Sequence, residues 1–440
     1  MKTHSNSIAP HPKRYWWLKR LSLAALAIVV LLVGLRLVWG QRVQAKLDQA
    51  VAEIQSKDEP ILFEDLVYEP LPDTENGAWY LTQALNSWPS IPGQPGVTIH
   101  DTDWYLEGEE YSEYDDPITD NAAYLASCRS VFDLLRQSDQ AKRSAYGSGP
   151  TRPLFHMLLP QLGNNRSLAR YVDDAAKRGL KVGDTELVFE TMLIQHAIAR
   201  HSLGEPTVLI DSLVAISIMA MSRDFIEHAL PQIDTADLRE GLARELAKEV
   251  IQRLTDGMTR ESMIKGFIGE RAAMYDLYEC MIDGTATASG LVGFGTPIEW
   301  VIDTPGLSHA YRPALKNAQL LTTNFYTAAI ESLRNETAHN GLDADTAKLE
   351  QEAYDHPVLY PMAGMLLPAN GAAMRTLDRS EALLHCAAIA IAIKLYEADH
   401  GKRPDTLDQL VPDYLPAIPK DPFSKTGEPI GYNPGGVVPS

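Results

Sequence analysis

"NRSLARYVDDAAKRGL", Asn165 to Leu180, places Leu168, Tyr171, Val172, Ala175 and Ala176 three or four residues apart. At 3.6 residues per turn these side chains share one face, which predicts an amphipathic helix that buries that face. Gly179 closes the run, and glycine readily takes the left-handed conformation that ends helices, so the helix is expected to stop there. The pattern recurs downstream. A helix from Asp184 to Ser202 stops at Gly204; another begins at Pro206, a good first helical residue, and reaches about Leu230 before Pro231. Two more follow, about Thr235 to Leu254 and Thr259 to Ile282. Helices of this length joined by short turns lie antiparallel to their neighbours, so the sequence predicts a mainly α protein built as an array of antiparallel helical hairpins. No consensus repeat accompanies the array, so its likeness to tetratricopeptide proteins is one of shape.

Toward the amino terminus, "KRYWWLKRLSLAALAIVVLLVGLRLVWGQRVQAKL" (Lys13 to Leu47) sets an apolar run from Leu21 to Leu35 behind Lys13, Arg14, Lys19 and Arg20. A helix needs about 20 residues to cross the hydrocarbon core, and Leu21 to Gly40 supplies them if Arg36 snorkels to the far interface. Trp16, Trp17 and Trp39 then fall at the two interfaces, where amphipathic rings are favoured. The basic cluster before the run outweighs Arg42 and Lys46 after it, which predicts a cytoplasmic amino terminus and an exported remainder. A signal peptide cut after Gly40 is the alternative. No cysteine follows the run to accept a lipid.

These signals divide the chain into a basic tail (1–20), an anchor (21–40), a juxtamembrane segment (41–121), the helical array (122–371) and a long helix with its tail (372–440). Val43, Leu47, Ala50, Val51 and Ile54 continue the anchor as a helix that Pro60 stops. "DTDWYLEGEEYSEYDD" (Asp101 to Asp116) contains no Lys or Arg and reads as a solvated acidic loop. A calcium-binding EF-hand would want glycine and glutamate at positions that Asp101 does not give. "GTATASGLVGFGTP" opens a glycine-rich connector, 284–310, that lacks the Gly-Lys-Ser/Thr ending of a phosphate loop. Helix resumes from Arg312 to Ala338, from Asp343 to Tyr354, and from Met374 to His400. The last of these contains "ALLHCAAIAIAI", too short an apolar run to span a bilayer and therefore a buried core element.

Composition removes several classes of function. A net charge of −19 would repel a phosphate backbone, so nucleic acid is not an expected partner. Cys128, Cys280 and Cys386 are far apart and form no CxxC pair; they read as buried, inert thiols, without a disulfide framework or zinc site. His196 and His201 are five residues apart, which turns them to different faces, so they read as packing or surface residues. His385 reads as a hydrogen-bonded core histidine. The chemistry-bearing stretch is "GERAAMYDLYEC", Gly269 to Cys280, where Asp276 shares a face with Cys280 and Tyr275 with Glu279. Flanking carboxylates would raise a thiol's pKa, which argues against a cysteine nucleophile. Glu270, Asp276 and Glu279 remain as candidate acid–base residues. No nucleophile elbow, zinc-protease or dinucleotide motif occurs, and no cofactor or metal is expected.

"YEADHGKRPDTLDQLVPDYLPAIPKDPFSKTGEPIGY", Tyr396 to Tyr432, resembles the carboxy-terminal part of the major pseudopilins of type II secretion, in which a long helix ends at glycine, a turn follows and a small sheet begins. Gly401 is placed to cap the helix, Asp405 to cap the "TLDQLV" turn, and Pro412, Pro416, Pro419 and Pro422 to hold an extended return path. Ile430 and Tyr432 are expected to open a strand, giving a small helix-plus-extended or β cap. Arg403 and Phe423 depart from the family pattern, and neither its calcium-binding strands nor its prepilin start is present. More broadly, the order of basic tail, anchor, "LDQAVAEIQSKDEP", "PLPDTENGAWYLTQAL", helical array and this ending is similar to single-pass envelope proteins of planctomycete-type bacteria, a likeness that implies placement and no activity. The expectation is a non-enzymatic protein anchored in the cytoplasmic membrane that binds another envelope protein. The alternatives are an accessory component of a secretion or pilus-like machine and a carboxylate-dependent extracytoplasmic hydrolase.

Overall fold

A computed structural model describes residues 15–67, 70–90, 118–147, 152, 159–286, 304, 307–336, 341–360 and 362–434. The acidic stretch Asp101 to Asp116 and most of the connector 284–310 lie outside the described residues.

The run of apolar residues after Arg20 has no breaker, and helix α1 (Trp16–Gln55) accordingly extends through all 40 of its residues without interruption. Among the described residues it is the one helix with the length and composition to cross a membrane. Its side chains from Leu21 to Val38 are almost all exposed, whereas Val43, Leu47 and Ile54 turn inward. The helix ends at Gln55, well before Pro60: the chain turns through Ser56 to Asp58, the last at φ +56°, so the proline does not stop it.

A short helix, α2 (Gly77–Asn86), stands in the juxtamembrane segment, capped by Asn76, whose Oδ1 accepts from the Ala78 amide at 3.1 Å. Next come α3 (Asn121–Gln140), α4 (Pro160–Lys181) and α5 (Thr185–Ser202), with Asp120 and Asp184 as side-chain caps of α3 and α5. Gly179 does not end α4. The helix runs past it, and the left-handed residue is Gly183 at φ +75°. Gly179 instead lets Leu187 approach: a Cβ there would lie 3.0 Å from Leu187 Cδ2.

Helix α6 (Leu209–Ala229) begins three residues beyond Pro206, where Asp211 Oδ2 accepts from the Val208 amide at 2.7 Å. The helix expected from Thr235 is split, because Gly241 at φ +95° separates a single 3-10 turn from α7 (Leu242–Leu254). Helix α8 (Met258–Asp283) ends at Gly284 in the left-handed conformation. The remaining helices are α9 (Leu307–Arg334), α10 (Ala344–Asp355), the single turn α11 (Ala363–Leu366) and α12 (Pro368–His400).

Two large apolar cores form among the described residues, with a small third cluster of Leu66, Val208, Ala272 and Ala273. The first is formed by α2 to α7 with the second half of α12; the second by α8 to α11 with the first half of α12. Helix α12 therefore joins the cores, which is why it is apolar on nearly every side: Met374 and Leu377 fill one core, Leu384 to Leu395 the other. Cys386 is the exception on this helix. It faces outward and is exposed, while Cys128 and Cys280 are buried.

Helices α6 and α8 cross closely over Gly266 and Gly269, and Ser212 Oγ donates to the Ser262 carbonyl at 2.7 Å. Helix α1 packs along α9. The buried end of this contact is Glu59, held at 2.6 Å by Arg271 and by Arg334. Burial opposes the charge on Glu59, yet the hydrogen bonds from Arg271 and Arg334 outweigh it and hold its carboxyl below the usual range.

Gly401, at φ +69°, caps α12, and its amide reaches the Glu397 carbonyl at 2.8 Å. The tail then folds back, burying Leu407, Leu410 and Leu415 in the first core. Asp405 does not cap the turn Leu407–Leu410; its amide is taken up by Gln409 Oε1 at 2.7 Å. No strand forms among the described residues, and the tail holds only one isolated bridge, Lys420 to Pro429. Seven prolines between Gly401 and Pro434 remove amide donors that a ladder would need.

Candidate functional site

A cleft of about 400 Å³ opens between the end of α5, the loop after α3, the end of α7 and the start of α8. Its wall is built from the last turns of α5, where His196 and Arg200, four residues apart, share a face and His201 follows Arg200 at the helix end. Lys142, Arg143 and Ser144 close the second side; Arg253, Asp256 and Lys265 close the third.

His201 sits at the base and is buried. Its Nε2 lies 2.6 Å from the Ser138 carbonyl, which can only accept, so Nε2 carries the proton in the neutral ring. Nδ1 is then the acceptor for the Ser144 hydroxyl at 2.6 Å. Burial, reinforced by the neighbouring Arg200 guanidinium, pushes the imidazole pKa down to about 4. A neutral histidine bound to a serine has the connectivity of an activated hydroxyl, but a base this weak gives the proton little reason to leave. The pair works as a clamp that fixes the 141–147 loop on α5. Gly77 completes it, since a Cβ there would lie 2.2 Å from His201 Nδ1.

Above the clamp, Asp139 is held by two guanidiniums, from Arg200 at 3.0 Å and Arg253 at 2.9 Å. Arg253 also reaches Glu249 at 3.3 Å, so the two guanidiniums are matched by two carboxylates. Arg143 is paired with Glu205 at 2.5 Å and Lys265 with Glu261 at 2.8 Å. His196 is 3% exposed; Nε2 stands 3.2 Å from Asp256 Oδ2, off the hydrogen-bond direction, and Nδ1 has no hydrogen-bond partner among the described residues.

The three carboxylates singled out in the sequence lie elsewhere, on three sides of α8. Glu270 is half-buried and accepts from the Leu209 amide at 3.3 Å, and desolvation raises its pKa. Asp276 is buried beneath Arg152, whose Nε donates at 2.7 Å, with the Cys280 thiol 3.8 Å away. Glu279 accepts from Gln319 of α9 at 2.8 Å. Each is taken up by a different neighbour, and none lines the cleft. Among the described residues no group of three or more His, Cys, Asp or Glu is arranged to hold a metal ion.

His385 faces a second cleft, about 560 Å³, between the start of α8, α12 and the tail; beside it Arg260 and Glu381 pair at 2.5 Å. Burial lowers its pKa, and it has a hydrogen bond to the Lys420 backbone.

Sequence reasoning did not find Ser138, Ser144 or Gly77, because they meet His201 from more than fifty residues away and carry no local motif. No family model, curated protein or solved structure matches the chain.

Proposed function

We propose that this protein is a membrane-anchored helical scaffold of the cell envelope: its body is exported, its amino terminus stays in the cytoplasm, and it binds another envelope protein without turnover. The observation that carries this is α1, which continues from a lipid-compatible segment into the body with no break and buries Val43, Leu47 and Ile54 there. Such a helix holds the body at a fixed height and orientation above the bilayer, as a scaffold requires and a freely diffusing enzyme does not. The excess of Lys and Arg before the apolar run supports the orientation. In this reading the packing of α4 on α5 and of α5 on α6 belongs to a hairpin array, and the tail after Gly401 is an end cap that seals the core with Leu407, Leu410 and Leu415.

The test is crosslinking in intact cells, followed by recovery of a tagged full-length chain and mass spectrometry. A reproducible envelope protein is the expected result, and enrichment of secretion or pilus components would identify the accessory role that the tail's resemblance implies. Substrate turnover by the purified protein, lost when Arg200 and Arg253 are changed, would replace the scaffold with an enzyme.

A further inference from the structure

The heights of residues above the bilayer can be read from α1, because α9 runs parallel to it. Arg36 donates to the His309 and Ala310 carbonyls, Gly40 faces Pro313, Lys316 donates to Gln44, and Lys57 pairs with Glu331 at 2.8 Å. These contacts keep one register along both helices, so Tyr311 stands level with the Leu37 to Val38 turn. The first turns of α9 thus lie at the outer end of the apolar segment.

The segment that joins α10 to α11 is fastened to those same turns. Tyr311 donates its hydroxyl to the Val358 carbonyl, and Asn317, about 9 Å further along α9 at 1.5 Å per residue, reaches the Leu359 carbonyl at 3.5 Å. Apolar side chains there face outward: Val358 is 62% exposed and Leu359 43%, and Tyr354, in the last turn of α10, is 68% exposed. Beyond the anchor, the other large exposed apolar side chains among the described residues, such as Val182, Leu242 and Phe423, stand singly; here three fall within six residues. Contiguous apolar exposure needs an occupant. Trp39 and Tyr311 lie at the same level, which is where aromatic rings gather at a membrane surface.

We propose that the α10–α11 turn inserts Val358 and Leu359 into the bilayer interface beside the anchor and so gives the body a second point of attachment to the lipid. The occupant is lipid at the acyl–headgroup boundary. The turn is flanked by Glu352 and Asp355, which would repel anionic headgroups, so the attachment is apolar and independent of anionic lipid. It braces the body against tilting about α1. The proposal rests on α1 crossing the membrane.

The experiment uses full-length protein in phosphatidylcholine vesicles containing a nitroxide-labelled lipid. Cys386, the one exposed native thiol, is first replaced by serine, and an environment-sensitive fluorophore is then placed at Leu359→Cys, Ala27→Cys or Gln55→Cys in turn. Gln55 stands about 22 Å beyond Gly40 at 1.5 Å per residue and reports the aqueous baseline. Quenching at residues 27 and 359, at least several-fold above that at 55, is expected, and replacing part of the lipid with phosphatidylglycerol should leave it unchanged. Quenching at 27 with residue 359 as dark to lipid as 55 would overturn the second attachment and leave the anchor standing. An unquenched label at 27 would overturn both. Quenching at 359 that appears only with phosphatidylglycerol would replace apolar insertion with electrostatic docking.

Discussion

Asp211 and His201 are buried ionisable groups whose pKa values move in directions that oppose one another in their effect on stability. Burial raises the Asp211 carboxyl to about 7 from 3.8, so between those values the folded chain holds a proton that the unfolded chain has released, and stability falls as pH rises through the window. His201 is held at about 4 against 6.5, so the unfolded chain binds the extra proton; its contribution is fully present above 6.5 and is lost as pH falls toward 4. Asn in place of Asp211 can still accept from the Val208 amide but cannot ionise. Each pH unit between the folded and unfolded pKa values is worth roughly 1.4 kcal/mol, so the stability of Asp211→Asn relative to the wild type should climb by about 4 kcal/mol from pH 4 to pH 8. Denaturant titrations of the full chain in detergent at several pH values measure this difference, and a constant difference would show that Asp211 ionises freely in the fold. His201→Gln should give the reverse trend, gaining on the wild type as the pH is lowered from 6.5 to 4, by about 3 kcal/mol.

At the scale of elements, helical glycines separate by what stands opposite them. A Cβ on Gly269 would lie 1.7 Å from the Thr207 carbonyl oxygen, backbone that cannot rotate away, so Gly269→Ala should push α8 off α6 and cost about 3 kcal/mol or more. On α4, Gly163 is exposed with nothing within 4 Å, and Gly163→Ala should gain up to about 1 kcal/mol from helix propensity alone. Equal melting shifts for the two variants would remove the close crossing. The ion pair between Glu59 and Arg271 makes a second test of element docking: Glu59→Ala strands Arg271, which is 1% exposed, and should cost about 3 kcal/mol, whereas Glu59→Leu with Arg271→Met should recover part of that loss. Periodic side chains made most helices legible, because Leu168, Tyr171 and Val172 signal a buried face whatever they meet. What they meet was not legible. Gly179 at the end of a periodic run fits a cap or a close contact equally well, and only Leu187 across the turn decides between them. Cys386 sits among apolar residues, yet its direction on α12 depends on where the two cores divide. The cleft was hidden for the same reason, since His201 gains its character from Ser138, Ser144 and Gly77, which the chain brings together only by folding.

At the scale of the whole molecule, α1 has an exposed apolar half and a packed half, and truncation separates them. Removing residues 1–41 takes away the exposed apolar surface and leaves Val43, Leu47 and Ile54 in place along α9. Removing residues 1–56 takes those three as well. Each fully buried aliphatic side chain stabilises by about 1.5–3 kcal/mol, so the second cut forfeits roughly 5–9 kcal/mol, close to the whole net stability of many domains. It also bares the α9 face that they covered. The chain from 42 to 440 should then be water-soluble and unfold cooperatively, while the chain from 57 to 440 should aggregate or bind a hydrophobic dye at temperatures where the longer form does not. Identical unfolding curves for the two would mean that the helix beyond Gly40 is only a tether, and the fixed height on which the scaffold depends would be lost with it. If they differ as expected, a load on the body passes to the membrane through a packed helix instead of a loop, and a partner would meet the same face of the protein at a constant distance from the lipid.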